Sequence, residues 1–108
     1  MTISTHVLDA VSGRPAAGLR VGLARQDGAG WSALASARTD ADGRIAAFAA
    51  AGELAAGVYQ LTFETGEYQA GPTFYPVVVI VFQVTDPAVH HHVPLLLSPY
   101  AYSTYRGS

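Results

Sequence analysis

No cysteine, lysine or asparagine occurs among the 108 residues, and there is one methionine and one tryptophan. Without cysteine there is no disulfide framework and no thiol nucleophile. Charge is also scarce. Only 13% of residues are charged and the formal net charge is −2, which removes the electrostatic basis for a nucleic-acid role. All six basic residues are arginine, and no functional weight rests on that choice. Long apolar runs are missing too. The longest, YPVVVIVF (75–82), is far too short to span a membrane. The opening MTISTHVLDA has neither a basic n-region nor an apolar h-region, so no signal peptide is expected and the cytoplasm is the expected compartment. Half of the residues are hydrophobic, which argues against disorder. The length suits one domain, residues 1–108, with its own core.

The periodicity is that of strands. ISTHVLDA (3–10) reads as extended, SGRPAAG (12–18) as a turn-rich connection, and LRVGLARQ (19–26) as a strand. DGAG (27–30) is a tight turn that returns WSALASART (31–39) antiparallel. DADG (40–43) turns the chain into a short strand at Arg44–Phe48, and the Ala-rich 49–57 has room for a turn of helix. In VYQLTFET (58–65), Tyr59, Leu61 and Phe63 alternate with Val58, Gln60, Thr62 and Glu64. GEYQAGPTF (66–74) reads as a loop or brief helix. PVVVIVFQV (76–84) is an unbroken β-branched run, expected to be covered on both faces. VHHHVPLLL (89–97) returns after TDPA, and YAYSTYR (100–106) is the last strand. About eight short strands with regular turns predict an all-β sandwich.

The histidine cluster is the most informative chemistry. On a strand, His90 and His92 share a face with Pro94 and Leu96, while His91 points with Val93, Leu95 and Leu97 toward the core. A His-x-His pair on an open face could ligate zinc or supply a general base near neutral pH. A solvated or hydrogen-bonded pair is the plainer reading of this segment alone. His6 is a lone strand histidine. Arg44 taken singly is a surface cation pairing with Asp40 or Asp42, worth little. Tyr105 and Arg106 taken singly end an amphipathic strand. Pro94 cannot donate to a ladder, so its strand has a free edge or a break there.

Together these segments form a pattern. STHVLDAVSGRPAAGL (4–19), TDADGR (39–44), FYPVVVIVF (74–82), HHHVPLLLSPYAYST (90–104) and YRGS (105–108) closely resemble the 5-hydroxyisourate hydrolases, transthyretin-related proteins of urate breakdown. The resemblance covers essentially the whole chain. It implies a transthyretin-like β-sandwich of two four-stranded antiparallel sheets with at most one short helix. It also implies a homotetramer, a dimer of dimers with active sites in the channel between dimers. The implied activity is hydrolysis of 5-hydroxyisourate to 2-oxo-4-hydroxy-4-carboxy-5-ureidoimidazoline, without cofactor or metal. Carried over residue by residue, the implied catalytic set is His6, Arg44, His92 and Tyr105, and Arg106, Gly107 and Ser108 complete the substrate-binding tail. Transthyretin holds Lys, Glu, Thr and Thr at the four catalytic places. A non-catalytic carrier of a small planar ligand is the rival reading, and a metal-binding sandwich is a third. The chain departs from the family in having His91 where an aromatic residue is usual, and in a short 65–76 segment.

Overall fold

The computed structural model describes residues 2–48, 54–69 and 71–108. In chain order the elements are β1 (Ile3–Asp9), β2 (Arg14–Pro15), β3 (Arg20–Asp27), β4 (Gly30–Arg38), β5 (Arg44–Ile45), β6 (Gly57–Phe63), α1 (Thr65–Tyr68), β7 (Val78–Val84), β8 (His91–Leu97) and β9 (Tyr102–Thr104). They form two sheets. One has the order β4-β3-β6-β7. The other runs β2-β1-β8-β9, with β5 also paired to β1.

The expected two-sheet sandwich with one short helix is present, with two differences. The second sheet has five strands, because two-residue pieces, β2 and β5, pair with β1. It is also not wholly antiparallel: β1 and β8 run parallel from Ile3↔His91 to Asp9↔Leu97. Both strands set out from the same end of the sandwich, and the whole of the other sheet is threaded between them. No hairpin therefore joins them, and the local pattern of either strand gives no sign of the partner's direction.

Alternation decides what is buried. Tyr59, Leu61 and Phe63 of β6 are fully buried, as are Val21 and Leu23 of β3 and Leu95 and Leu97 of β8. Ile3 and Val7 of β1 and Val78 and Val84 of β7 join them between the sheets. Each such side chain contributes roughly 1.5–3 kcal/mol by leaving water. The run 76–84 departs from expectation. Its inward residues are buried, but Val79 is 46% and Val81 56% exposed on the outer face. β7 is also the edge strand of its sheet, and no described residue of the chain packs over this outer face.

Three local outcomes complete the comparison. The last strand is confined to Tyr102–Thr104, and the strand expected at 44–48 to Arg44–Ile45. The brief helix is α1, which begins at Thr65. The helical turn expected within 49–57 falls largely on 49–53, outside the described residues.

Candidate active site

β1 and β8 set the geometry. In the parallel register Ser4 lies beside His92 and His6 beside Pro94. Side chains alternate, so Ser4, His6, His90, His92 and Pro94 share the outer face. His91, only 7% exposed, points inward with Val93, Leu95 and Leu97, as its parity predicts. Its Nδ1–H donates to the Val89 carbonyl at 2.8 Å.

β5 adds Arg44 to the same face, directly opposite His6. The turn TDADG makes this placement. Asp40 Oδ1 accepts from the backbone N–H of Asp42 (2.9 Å) and of Arg44 (3.0 Å). Gly43 sits at φ +75° and its carbonyl accepts from Val7 N–H at 2.8 Å. A Cβ there would press on the Val7 carbonyl and lie 3.0 Å from Pro15 Cβ. Only glycine suits that backbone and that approach. Gly43→Ala is expected to lower stability by about 2 kcal/mol. Thermal unfolding of the two proteins measures it, and an unchanged midpoint would mean the turn relaxes freely.

The tail closes the site from the other side. β9 pairs with β8 only as far as Leu95↔Thr104, and Thr104 Oγ1 donates to the Pro94 carbonyl at 2.7 Å. Pro94 has no N–H to continue the ladder. Pairing resumes once, where Gly107 N–H donates to the His92 carbonyl at 2.9 Å. Gly107 lies close against the His92 imidazole: a Cβ there would overlap ring atom Cδ2 and stand 3.2 Å from Pro94 Cγ.

A cleft of about 250 Å³ results, lined by Ser4, Arg44, His90, His92 and Ser108 among others. Tyr105 and Arg106 are not in it. They line a second cavity of about 280 Å³ with Ile80, Phe82, Gln83 and His91. His92 borders both. Tyr105 is 60% exposed. Within one chain, then, the structure brings Arg44, His92 and Ser108 into one cleft, sets His6 opposite Arg44 on the same sheet face and Gly107 against His92, and leaves Tyr105 and Arg106 across the tail.

The electrostatics favour a neutral imidazole. Burial lowers the His92 pKa below the ordinary histidine value, and the Arg44, His90 and His6 charges lower it further. Among the described residues Arg44 makes no ion pair with a carboxylate. Among the described residues the one ion pair is Arg20 with Glu67, and the Asp40 oxygen nearest in sequence is taken up by turn backbone. The plain reading of Arg44 as a surface ion pair therefore does not hold.

Sequence reasoning missed Ser4. Its Oγ lies 2.7 Å from His92 Nδ1 and 2.8 Å from His90 Nε2, and Thr2 Oγ1 hydrogen-bonds His90 Nδ1. The two rings are near-parallel at 18°. The available signal was parity, since Ser4 lies two residues from His6 on the same strand face. Among the described residues no three His, Cys, Asp or Glu side chains are placed to hold a metal ion.

The sequence profile of the HIUase/Transthyretin family matches residues 3–107. The chain belongs to this family. It is 50% identical to the 5-hydroxyisourate hydrolase of Caulobacter vibrioides, over 98% of this chain and 97% of that protein. The 5-hydroxyisourate hydrolase structure from Klebsiella pneumoniae superposes with a TM-score of 0.88 at 42% identity, covering the whole of both chains. Sea bream transthyretin in complex with thyroxine has a TM-score of 0.91 at 31% identity, over 99% of this chain and 95% of its own. The family backbone is thus common to proteins with both names, and the cleft side chains must separate them.

Proposed function

We propose that the chain hydrolyses 5-hydroxyisourate, cleaving a cyclic amide of its six-membered ring to give 2-oxo-4-hydroxy-4-carboxy-5-ureidoimidazoline. The observation that carries this reading is one small cleft that holds His92, whose pKa burial and neighbouring cations lower, together with Arg44, which makes no ion pair among the described residues. The names of the full-length relatives point the same way.

Amide hydrolysis needs an activated water, a place for charge on the attacked carbonyl, and a proton for the leaving nitrogen. His92 takes the proton from water and returns it to the nitrogen. Arg44 is permanently charged and presents a rigid fork of donors, which suits the developing oxyanion. His6, opposite Arg44, orients water or substrate. Ser108 and Gly107 close the cleft on the tail side. Tyr105 and Arg106 bind substrate in an assembly that brings the two cavities into one channel. That assembly is a homotetramer, a dimer of dimers. It is supported by the uncovered outer face of β7 and by the free edges of β7 and β9, which a second copy can pair and cover.

The deciding experiment is the decay of freshly generated 5-hydroxyisourate, followed by ultraviolet absorbance. Protein should accelerate it, and an unchanged decay would leave the carrier reading in possession. Light scattering in dilute neutral buffer should give four chains per particle, and a monomer with full activity would defeat the channel.

Two further outcomes follow from the cleft. Activity that depends on neutral His92 should be full above about pH 6.5 and fall as the pH drops through the lowered pKa. The stability sign agrees. Below the ordinary histidine pKa the unfolded chain binds the extra proton first, so this contribution is lost on acidification. A rate that rises between pH 7 and 5.5 would contradict the assignment. Activity should also survive exhaustive chelation, since Arg44 places positive charge where a divalent cation would sit. Loss on chelation with recovery on added zinc would convert the histidines into metal ligands.

A further inference from the structure

The outer face of β1 carries a group that the proposed reaction has not yet used. Ser4 Oγ stands between two imidazoles, 2.7 Å from His92 Nδ1 and 2.8 Å from His90 Nε2. His90 in turn reaches Thr2 through Nδ1. Ser4 is buried, His92 is half-buried, and His90 and Thr2 are exposed. The four groups therefore form an unbroken line from the cleft to solvent.

Building on the hydrolase reading, we propose that Thr2, His90, Ser4 and His92 form a hydrogen-bond wire that sets the tautomer of His92 and carries a proton between the cleft and bulk water. Ser4 is its central positioning residue.

The donor rules allow two arrangements. In the first, His92 Nδ1–H donates to Ser4 Oγ, the Ser4 hydroxyl donates to His90 Nε2, and His90 Nδ1–H donates to Thr2 Oγ1. His92 Nε2 then offers its lone pair to the cleft, as a base requires. In the second, every donor is reversed: Thr2 donates to His90 Nδ1, His90 Nε2–H to Ser4, Ser4 to His92 Nδ1, and His92 Nε2–H faces the cleft, as an acid requires.

One proton converts the first into the second. Water loses a proton to His92 Nε2 as its oxygen bonds to the attacked carbonyl carbon. The Nδ1 proton passes to Ser4, the Ser4 proton to His90 Nε2, the His90 Nδ1 proton to Thr2, and the Thr2 proton to bulk water. Both rings remain neutral throughout. Return of a proton along the same line resets His92 Nδ1–H as Nε2–H is given to the leaving nitrogen, whose bond to the carbonyl carbon breaks.

Neutrality is the advantage. The charges that lower the His92 pKa are those of Arg44 from β5, His90 and His6 from β1, all basic, while Tyr105 and Arg106 of the tail share the second cavity that His92 borders. An imidazolium formed there would be buried beside a guanidinium. A wire lets His92 accept a proton on one nitrogen while releasing one from the other.

The test uses the full chain with Ser4→Ala, Ser4→Thr and His90→Phe, read by kinetics and by ¹⁵N spectra of the histidine rings. Wild type should show His92 held as the Nδ1–H tautomer near neutral pH. Ser4→Ala should give mixed tautomers and reduce kcat roughly tenfold to a hundredfold, the range for losing a group that orients an imidazole. KM should stay within about twofold, since the Ser4 hydroxyl is engaged by the two imidazoles. Ser4→Thr keeps the hydroxyl and should restore both tautomer and most of the rate. His90→Phe, which interrupts the line beyond Ser4, should lower kcat and reduce the number of protons seen in the solvent-isotope dependence. Normal kcat and an unchanged His92 tautomer in Ser4→Ala would overturn the wire. If wild type fails to hydrolyse 5-hydroxyisourate, the functional reading falls, and the tautomer spectra alone still accept or reject the chain of hydrogen bonds.

Discussion

Replacing His92 by asparagine is expected to slow 5-hydroxyisourate hydrolysis about a hundredfold to ten-thousandfold, the contribution of a positioned acid–base group. Asparagine is the informative choice. It retains a polar side chain that can meet Ser4, where His92 Nδ1 stands at 2.7 Å, so the local fold is preserved while the titrating nitrogen is removed. The control is His91→Tyr. His91 points inward, and its side chain borders the cavity of about 280 Å³ rather than the cleft. A tyrosine can extend toward that cavity, and it restores the aromatic residue usual in the family. It loses the hydrogen bond to the Val89 carbonyl, a cost of about 1 kcal/mol in stability. Its rate should therefore stay near wild type. Both variants are compared at equal assembly, checked by light scattering, with initial rates from the absorbance decay. A damaged His91→Tyr beside a normal His92→Asn would reverse the faces of β8, and the general base would have to be sought elsewhere.

Parity is what made this part of the site legible in the sequence. A period of two assigns His90 and His92 to one face and His91 to the other without knowledge of any partner strand, and the buried Val93, Leu95 and Leu97 bear that out. The same reasoning places Tyr59, Leu61 and Phe63 in the core. What parity cannot supply is pairing. Arg44 reaches His6 because β5 pairs with β1, across 38 residues, and because Asp40 spends its carboxylate on the turn backbone. From sequence alone, Arg44 could equally have paired with that aspartate. Ser4 was passed over for a related reason. A serine in a strand has no character of its own until its neighbours are known, and both of its partners lie more than 80 residues away. The run 76–84 misled in the opposite direction. Uninterrupted β-branched residues imply two covered faces, yet within the chain Val79 and Val81 face outward. One chain supplies only one of the two covers, and the proposed tetramer is where the second is to be sought. Tyr105 and Arg106 follow the same logic: the motif YRGS travels as a unit, but the single chain divides it between two cavities.

Gly107→Ala is expected to reduce turnover about a hundredfold, from the addition of a single methyl group. The backbone of Gly107 lies against the His92 ring and donates its N–H to the His92 carbonyl at 2.9 Å. An alanine Cβ would overlap Cδ2 of the ring and approach Cγ to 3.1 Å and Pro94 Cγ to 3.2 Å. Pro94 belongs to a strand and cannot retreat, so either the imidazole swings or the tail lifts. In the first case His92 leaves Ser4 and its Nε2 no longer aims into the cleft. In the second, Ser108 is withdrawn from beside Arg44 and His90. Either displacement is of the order of 1 Å, enough to cost about a hundredfold in a reaction that depends on alignment. Deleting residues 105–108 separates the two. It removes the overlap along with Tyr105 and Ser108, so His92 keeps its bond to Ser4 while the tail side of the cleft opens. Its rate should fall comparably, with a raised KM as the sign of lost substrate contacts. In Gly107→Ala the fall should lie mainly in kcat if the ring swings, with ring spectra that report the loss of the Ser4–His92 bond, and should carry a raised KM with that bond kept if the tail lifts. The variant should melt close to wild type, because Gly107 is only partly buried and lies at the chain's edge. A Gly107→Ala protein with wild-type kcat would mean that the tail moves aside without consequence, and the terminal YRGS would then have no part in positioning the base.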